Sequence, residues 1–292
     1  MITTEVENFP GFPEGIAGPE LMDKLFSQAK RFGATIIQEY ATSFGSLTEQ
    51  SPGPFKLKIG QEEYTAQTII LANGASARWL NAPGEERLRN RGISACATCD
   101  GPLPVFRNKP IMVVGGGDSA CEEALFLTRF ASKVMLVHRR DQLRASKIMA
   151  QRVLEHPKIE VCCNVTFSEI DCCYISYLQM MWNTTIVQYE GEDKLEAVMV
   201  KNSVTGEETR VVAAGLFMAI GHEPNTKELL GTGLELDEEN YISVEKNVYT
   251  NIEGVFAAGD CHDRMYRQAI TASGFGCMAA ITAERWLEAR GE

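Results

Sequence analysis

The sequence predicts an α/β fold organised around a strand–helix–strand unit, and three segments carry that reading. Pro110-Ile-Met-Val-Val114 is a short apolar, β-rich run, as expected of a strand buried on both faces. Cys121 to Phe130 places Ala124, Leu125, Leu127 and Phe130 at helical spacing. Lys133-Val-Met-Leu-Val137 is a second buried strand, ending at His138-Arg-Arg140. Together they complete a unit of about 30 residues.

Composition bounds the rest. At about 150 residues per domain, 292 residues make one large or two ordinary domains. Hydrophobic residues are 45% and charged residues 23%, the balance of a folded soluble chain. No run of about eighteen apolar residues exists, so no membrane-spanning helix and no membrane partner are expected. Met1-Ile-Thr-Thr-Glu-Val-Glu7 has neither the basic run nor the apolar core of a signal peptide. The net charge of −11 argues against a nucleic-acid partner. Nine cysteines without a secretory signal read as intracellular thiols, metal ligands or redox groups rather than a disulfide scaffold.

Between the two strands lies Gly115-Gly-Gly117-Asp118-Ser119-Ala120. Its Gly-x-Gly-x-x-Ala turn, placed between strand and helix, is a dinucleotide-binding fingerprint. Glycines let the chain turn tightly and let backbone N–H groups approach a pyrophosphate, and the helix N-terminus adds partial positive charge. The bland alternative is a plain glycine turn. The second strand's end discriminates between cofactors. An NAD site places Asp or Glu there. This chain offers His138, Arg139, Arg140 and Arg144, and guanidinium groups match a 2′-phosphate. The expected dinucleotide is NADPH; a solvated basic strand end is the alternative.

Upstream stands Cys96-Ala-Thr-Cys99-Asp100. Two cysteines at this spacing can close a disulfide at a helix start, where a thiolate is favoured. Beside a dinucleotide unit the pair suggests a dithiol redox centre. Half a zinc site or two inert thiols remain as alternatives, although no second close ligand pair is found and no metal is expected. Asp100 is placed to shuttle a proton to a leaving thiolate or flavin, or is an ordinary exposed turn residue.

Towards the C-terminus, Gly254-Val-Phe-Ala-Ala-Gly259-Asp260 reads as a short buried strand ending in Gly-Asp. Its carboxylate can bond a ribityl hydroxyl. A helix from Ala269 to about Leu287 follows Arg267-Gln268, and its N-terminus suits the negative charge of a reduced flavin ring. An ordinary strand–turn–helix is the alternative.

These motifs, in this order, resemble the low-molecular-weight, NADPH-dependent thioredoxin reductases. The resemblance rests on Thr3-Thr-Glu-Val-Glu-Asn8-Phe-Pro-Gly11, Gly74-Ala-Ser-Ala-Arg78, Gly92-Ile-Ser-Ala-Cys-Ala-Thr-Cys-Asp-Gly101, Val114 to Ala120, His138-Arg-Arg140 with Arg144, Ala219-Ile-Gly-His222, and Gly259-Asp260 through Arg267-Gln-Ala-Ile-Thr271. It implies two Rossmann-like three-layer domains binding FAD and NAD(P), one split in sequence by the other. Residues 1–78 and 219–292 would form the FAD-binding domain, and 79–218 the NADPH-binding domain with the CxxC. The implied reaction passes electrons from NADPH through FAD and the CxxC disulfide to thioredoxin. Cys99 matches the cysteine facing the flavin, Cys96 the one attacking the partner, and Asp100 the proton donor. FAD contacts carried over are Asn8, Ala41 through its backbone, Asp260, Arg267, Gln268 and Ala269. NADPH contacts are Gly115, Gly117, Asp118, Ser119, Ala120, His138, Arg139, Arg140 and Arg144. The resemblance further implies a homodimer; cytosol is the default location, with mitochondria or plastid left open.

Two departures qualify it. The family begins with a strand and its own Gly-x-Gly-x-x-Gly turn, which would precede Met1, so the FAD domain is expected to lack its first strand and helix. Loss of a central strand exposes apolar faces and unpaired backbone. An NADPH-binding protein without flavin, catalytically inert, is therefore one competing reading. The second departure is an insertion near 162–181 carrying four of the nine cysteines as two vicinal pairs. Its spacing does not match the usual zinc pattern. A peroxide-reducing flavoprotein relative is a further alternative, but it normally adds another CxxC module. Cys121 and Cys277, on predicted helices, are expected to be packed thiols.

Overall fold

The computed structural model describes residues 5–155, 159–161 and 178–291. The chain divides into two compact units. Unit 1 holds Phe12–Met22 and Ala77–Gly221 with the residues before Asn8; unit 2 holds Asn8–Gly11, Asp23–Ser76 and the chain from His222 on.

In unit 2, β1 (Ala41–Ser43), β2 (Phe55–Ile59) and β3 (Glu62–Ala66) form an antiparallel sheet in that order. β2 alternates buried Phe55 with exposed Lys56 and Lys58, the period of a half-buried strand. β4 (Ile69–Leu71) follows and pairs in parallel with a strand near the C-terminus, described below.

Unit 1 is built on a six-stranded parallel sheet. Its strands are β5 (Ile93–Ser94), β6 (Pro110–Val114), β7 (Lys133–Val137), β8 (Ile159–Val161), β9 (Leu178–Met181) and, after the next sheet, β13 (Gly215–Met218). Their order is β8-β9-β7-β6-β13-β5. Between β9 and β13, β10 (Thr184–Glu190), β11 (Ala197–Asn202) and β12 (Glu208–Val212) form an antiparallel sheet.

The continuous apolar runs of β6 and β7 follow from burial on both faces. Ile111, Val113, Val134, Leu136 and Phe217 pack with Ala120, Ala124 and Leu127 of α2 (Asp118–Leu127). The alternate residues Met112, Val114, Met135, Val137, Leu216 and Met218 pack with Tyr189, Val198 and Val200 of the antiparallel sheet. The unit thus has three layers, helix, parallel sheet and antiparallel sheet. Each fully buried aliphatic chain contributes about 1.5–3 kcal/mol.

Two boundaries here differ from the sequence reading. α2 ends at Leu127 rather than Phe130, because the Thr128 hydroxyl turns back onto the Leu125 carbonyl at 2.6 Å. Leu178–Met181, expected inside the insertion, is instead strand β9, hydrogen-bonded between β7 and β8. Residues 162–177, with both vicinal cysteine pairs, lie outside the described residues.

Unit 2 resumes with β14 (Val255–Ala257), parallel to β4, with Phe256 opposite Ile70. A helix, α4 (Ala269–Arg290), follows, since Gly291 at φ +73° ends it beyond the expected Leu287. The sequence reading packed both helical cysteines, but only Cys121 is buried. Cys277 is exposed, because the buried positions of α4 are Ala279 and Ala283, against Val248, Phe256 and Ala258.

Candidate active site

Cys96 and Cys99 are joined in a disulfide, with their Cα atoms 5.3 Å apart. They flank the start of α1 (Ala97–Asp100), a single turn whose N-cap is Cys96. Cys96 Sγ accepts the Cys99 N–H at 3.3 Å, a contact that also favours a Cys96 thiolate once the disulfide opens. Both cysteines are half-buried.

Asp100 closes the same turn but is not an exposed turn residue: only 5% of it meets solvent. The Ser94 hydroxyl donates to its Oδ2 at 2.6 Å and accepts the Cys96 N–H at 3.0 Å. One serine at the end of β5 therefore ties the Asp100 carboxyl to the backbone of Cys96. Asp100 Oδ1 has no partner among the described residues. Burial pushes the carboxyl above the usual aspartate range, and the Ser94 bond only partly opposes this. Ser94 was not singled out in the sequence; its place two residues before the CxxC was the available signal.

The glycine loop lies at the C-terminal end of β6. Gly115 has φ +154°, and an added Cβ would meet the Ala219 carbonyl and the Ala120 methyl. A larger residue at either 115 or 120 would separate strand from helix. Gly117 caps α2, and a Cβ there would meet nothing within 4 Å. Space above the first turn of the helix is open, as approach by a phosphate requires. Ser119 is exposed on that turn and Ala120 is buried beneath it.

The basic segment divides. Arg139, Arg140 and Arg144 are exposed and enter no ion pair among the described residues. His138 is 4% exposed, and its ring lies against Gly116, where an added Cβ would collide with it. Its Nε2 faces the Gln142 carbonyl at 3.0 Å. Burial pushes the imidazole below its ordinary value, with a smaller push from the neighbouring arginines, and the Gln142 bond only partly opposes this. Because a carbonyl only accepts, Nε2 carries the hydrogen in that bond. Asp118 engages the basic segment: its Oδ1 accepts both the N–H and the hydroxyl of Ser146, each at 2.8 Å.

In unit 2, two of the expected flavin contacts meet across 260 positions, with Asn8 Nδ2 donating to Gln268 Oε1 at 2.9 Å. Gln268 is the N-cap of α4, in a reciprocal capping pair with Thr271. Ala269 begins the helix. Arg267 takes φ +48°, and its guanidinium donates to the Arg264 carbonyl at 2.5 Å. Asp263, which sequence reasoning missed, holds this approach in place. Its Oδ1 accepts the N–H groups of Met265 and Tyr266, and its Oδ2 that of Arg267. The signal was its place between Gly-Asp and Arg-Gln. Asp260 follows Gly259 in a short turn, and its Oδ1 is buried with no partner among the described residues. Burial raises this carboxyl as well. Ala41 begins β1, paired with Ile59, apart from this cluster in the hydrogen-bond network.

Comparison with known proteins places these features together. The family described as pyridine nucleotide-disulphide oxidoreductase matches residues 1–173 and 177–276. The chain is 50% identical over 289 residues to a thioredoxin reductase of Mycolicibacterium smegmatis, covering 98% of this chain and 84% of that one. It is 49% identical over 294 residues to the mitochondrial thioredoxin reductase 1 of Arabidopsis thaliana, covering 98% and 72%. Among solved structures, thioredoxin reductase from Giardia duodenalis superposes with a TM-score of 0.82 at 38% identity, covering 98% of this chain and 86% of that one. The Streptococcus pyogenes thioredoxin reductase gives 0.82 at 34%, covering 99% and 86%.

Proposed function

Because the chain belongs to the pyridine nucleotide-disulphide oxidoreductase family, and within it to the thioredoxin reductases, we propose that unit 2 holds FAD and that unit 1 holds NADPH and the reacting dithiol. The protein is an NADPH-dependent flavoenzyme that reduces the disulfide of thioredoxin.

The residues present fit the ribityl part of FAD and the phosphates of NADPH. The buried Asp260 Oδ1, without a partner among the described residues, suits a ribityl hydroxyl, and the Asn8–Gln268 pair supplies further polar groups in unit 2. Open space at Gly117 and the first N–H groups of α2 suit a pyrophosphate, with Arg139, Arg140 and Arg144 for the 2′-phosphate. Bound FAD supplies the two-electron relay between the nicotinamide and the disulfide.

The single observation carrying the dithiol reading is the buried Asp100, held by Ser94 in the same helical turn as the Cys96–Cys99 disulfide. Opening that disulfide takes two electrons and two protons and leaves two thiols. The Cys96 thiol gives up its proton and, as the thiolate, bonds one sulfur of the thioredoxin disulfide, while the other thioredoxin sulfur leaves with the electron pair of the broken bond and takes up a proton. Cys99 attacks Cys96 in this mixed disulfide, re-forming Cys96–Cys99 and releasing the second thioredoxin thiol. Asp100 holds the proton passed to a leaving thiolate, and its raised affinity keeps that proton available at higher pH than a surface aspartate would. Asp100 and Ser94 also line a cavity of about 510 Å³ with Phe106 and Leu195.

We further place the enzyme in the cytosol as a homodimer. Ile270, Met278 and Ile281, exposed apolar side chains on α4, support a partner surface in unit 2. Sedimentation and cell fractionation test these two assignments. The reaction is tested on the purified chain. It is expected to show flavin absorbance bleached by NADPH, and to generate thioredoxin thiols. A colourless protein that binds NADPH and leaves thioredoxin oxidised would overturn the reading.

A further inference from the structure

We propose that Asp118, Ser146 and His138 form a clamp that fixes the arginine-bearing segment against the glycine loop and thereby sets the preference for a 2′-phosphorylated nucleotide. The proposal rests on the reading of unit 1 as the NADPH site.

The segment from His138 to Ser146 carries all three arginines, and their side chains are exposed. Left free, such a segment would lose backbone and rotamer freedom when an anion is bound, which weakens binding. Three sets of contacts hold it in place beforehand. The Gly116 carbonyl accepts the N–H groups of Arg144 at 2.7 Å and Ala145 at 3.2 Å. Asp118 Oδ1 accepts the Ser146 N–H and hydroxyl, both at 2.8 Å. The His138 ring fills the space over Gly116, and its Nε2–H spans the segment to the Gln142 carbonyl at 3.0 Å. Arg144 is thus bound at its own N–H to the loop that would cradle the pyrophosphate. Its distance from that loop is set by hydrogen bonds rather than by chance.

Asp118 is then a positioning residue. At the first turn of α2 a free carboxylate would face the phosphates with like charge. Engaged by Ser146, its charge is turned to ordering the arginines. The Ser146 hydroxyl also accepts the Met149 N–H at 3.4 Å, capping α3 (Lys147–Leu154). The clamp therefore joins the starts of two helices across the segment.

The test is calorimetric titration of the full chain with adenosine 2′,5′-bisphosphate and with 5′-AMP, neither of which needs the flavin. Wild type is expected to favour the bisphosphate. Asp118→Ala should weaken the bisphosphate about tenfold and 5′-AMP less than about twofold, the scale of a lost charge-assisted contact. Ser146→Ala should fall between, because it removes one of the two bonds to Asp118. Asp118→Asn, which keeps an acceptor oxygen, should restore the preference. Unchanged preference in a folded Asp118→Ala protein would overturn the clamp while leaving the NADPH reading intact. Equal weakening of both ligands would overturn its role in specificity. No preference in wild type would overturn the NADPH reading itself, and the clamp with it.

Discussion

The Ser94 hydroxyl donates to Asp100 Oδ2 at 2.6 Å while accepting the N–H of Cys96 at 3.0 Å. Ser94 thus fixes one oxygen of the buried Asp100 carboxyl beside the Cys96 backbone. Asp100→Asn removes the transferable proton, and thioredoxin reduction should fall about 100-fold. Ser94→Ala leaves the proton but frees the carboxyl, and the loss should be about tenfold. NADPH-driven bleaching of the flavin should be unchanged in both, as rapid mixing would show.

Asp100 also gives the fold a pH dependence of definite sign. Its folded-state affinity for protons is raised by burial. Below the unfolded carboxylate value, about 3.9, both states carry the proton and the site costs nothing. As pH rises from there through the folded value, the native state binds the extra proton and stability is lost. Asp100→Asn has no such loss, so it should be more stable than wild type at neutral pH. The difference should vanish in acid; denaturant melts of the oxidised protein across pH read it directly.

Arg139 and Arg140 extend into solvent at the end of β7. Replacing both with Gln should raise KM for NADPH about 100-fold, the sum of two charge-assisted contacts, and leave KM for NADH nearly unchanged. Steady-state kinetics with both nucleotides checks this, and equal effects would remove 2′-phosphate recognition from these residues.

Glu85 is 1% exposed and accepts from Leu80 N–H, Asn81 N–H, Arg89 Nη2 and the Tyr189 hydroxyl. Glu85→Ala leaves these donors without their acceptor inside unit 1. A loss of about 3 kcal/mol in unfolding free energy is expected, measured by denaturant titration. Glu85→Gln keeps the packing and should cost less.

Asp260 Oδ1 is buried without a hydrogen-bond partner among the described residues. Asp260→Ala should purify with less flavin per chain than wild type, seen as a lower ratio of visible to protein absorbance. Full flavin content would separate Asp260 from the cofactor.

The parallel core of unit 1 was legible because burial on both faces writes itself as unbroken apolar runs at 110–114 and 133–137. The glycine loop was legible because Gly115 and Ala120 touch, a demand only small residues meet. Side-chain direction was not. His138 and Arg139 are neighbours in a basic run, yet one ring is enclosed over Gly116 and the other side chain is in solvent. Pattern cannot rank them, since an imidazole tolerates burial once neutral and a guanidinium does not. Cys277 misled for a related reason: α4 carries apolar residues around its circumference, so helical position alone did not say which side is covered. β9 was hidden because it follows a segment that looked inserted, and strand pairing depends on partners distant in sequence. The Asn8–Gln268 bond, across nearly the whole chain, belongs to the same class.

The central claim is that electrons reach thioredoxin only through the Cys96–Cys99 pair. Anaerobic rapid mixing of Cys99→Ser and wild type with NADPH and oxidised thioredoxin tests it most directly. Flavin should bleach in both proteins, and thioredoxin thiols should accumulate catalytically in wild type alone. Turnover of thioredoxin by Cys99→Ser at the wild-type rate would contradict the account.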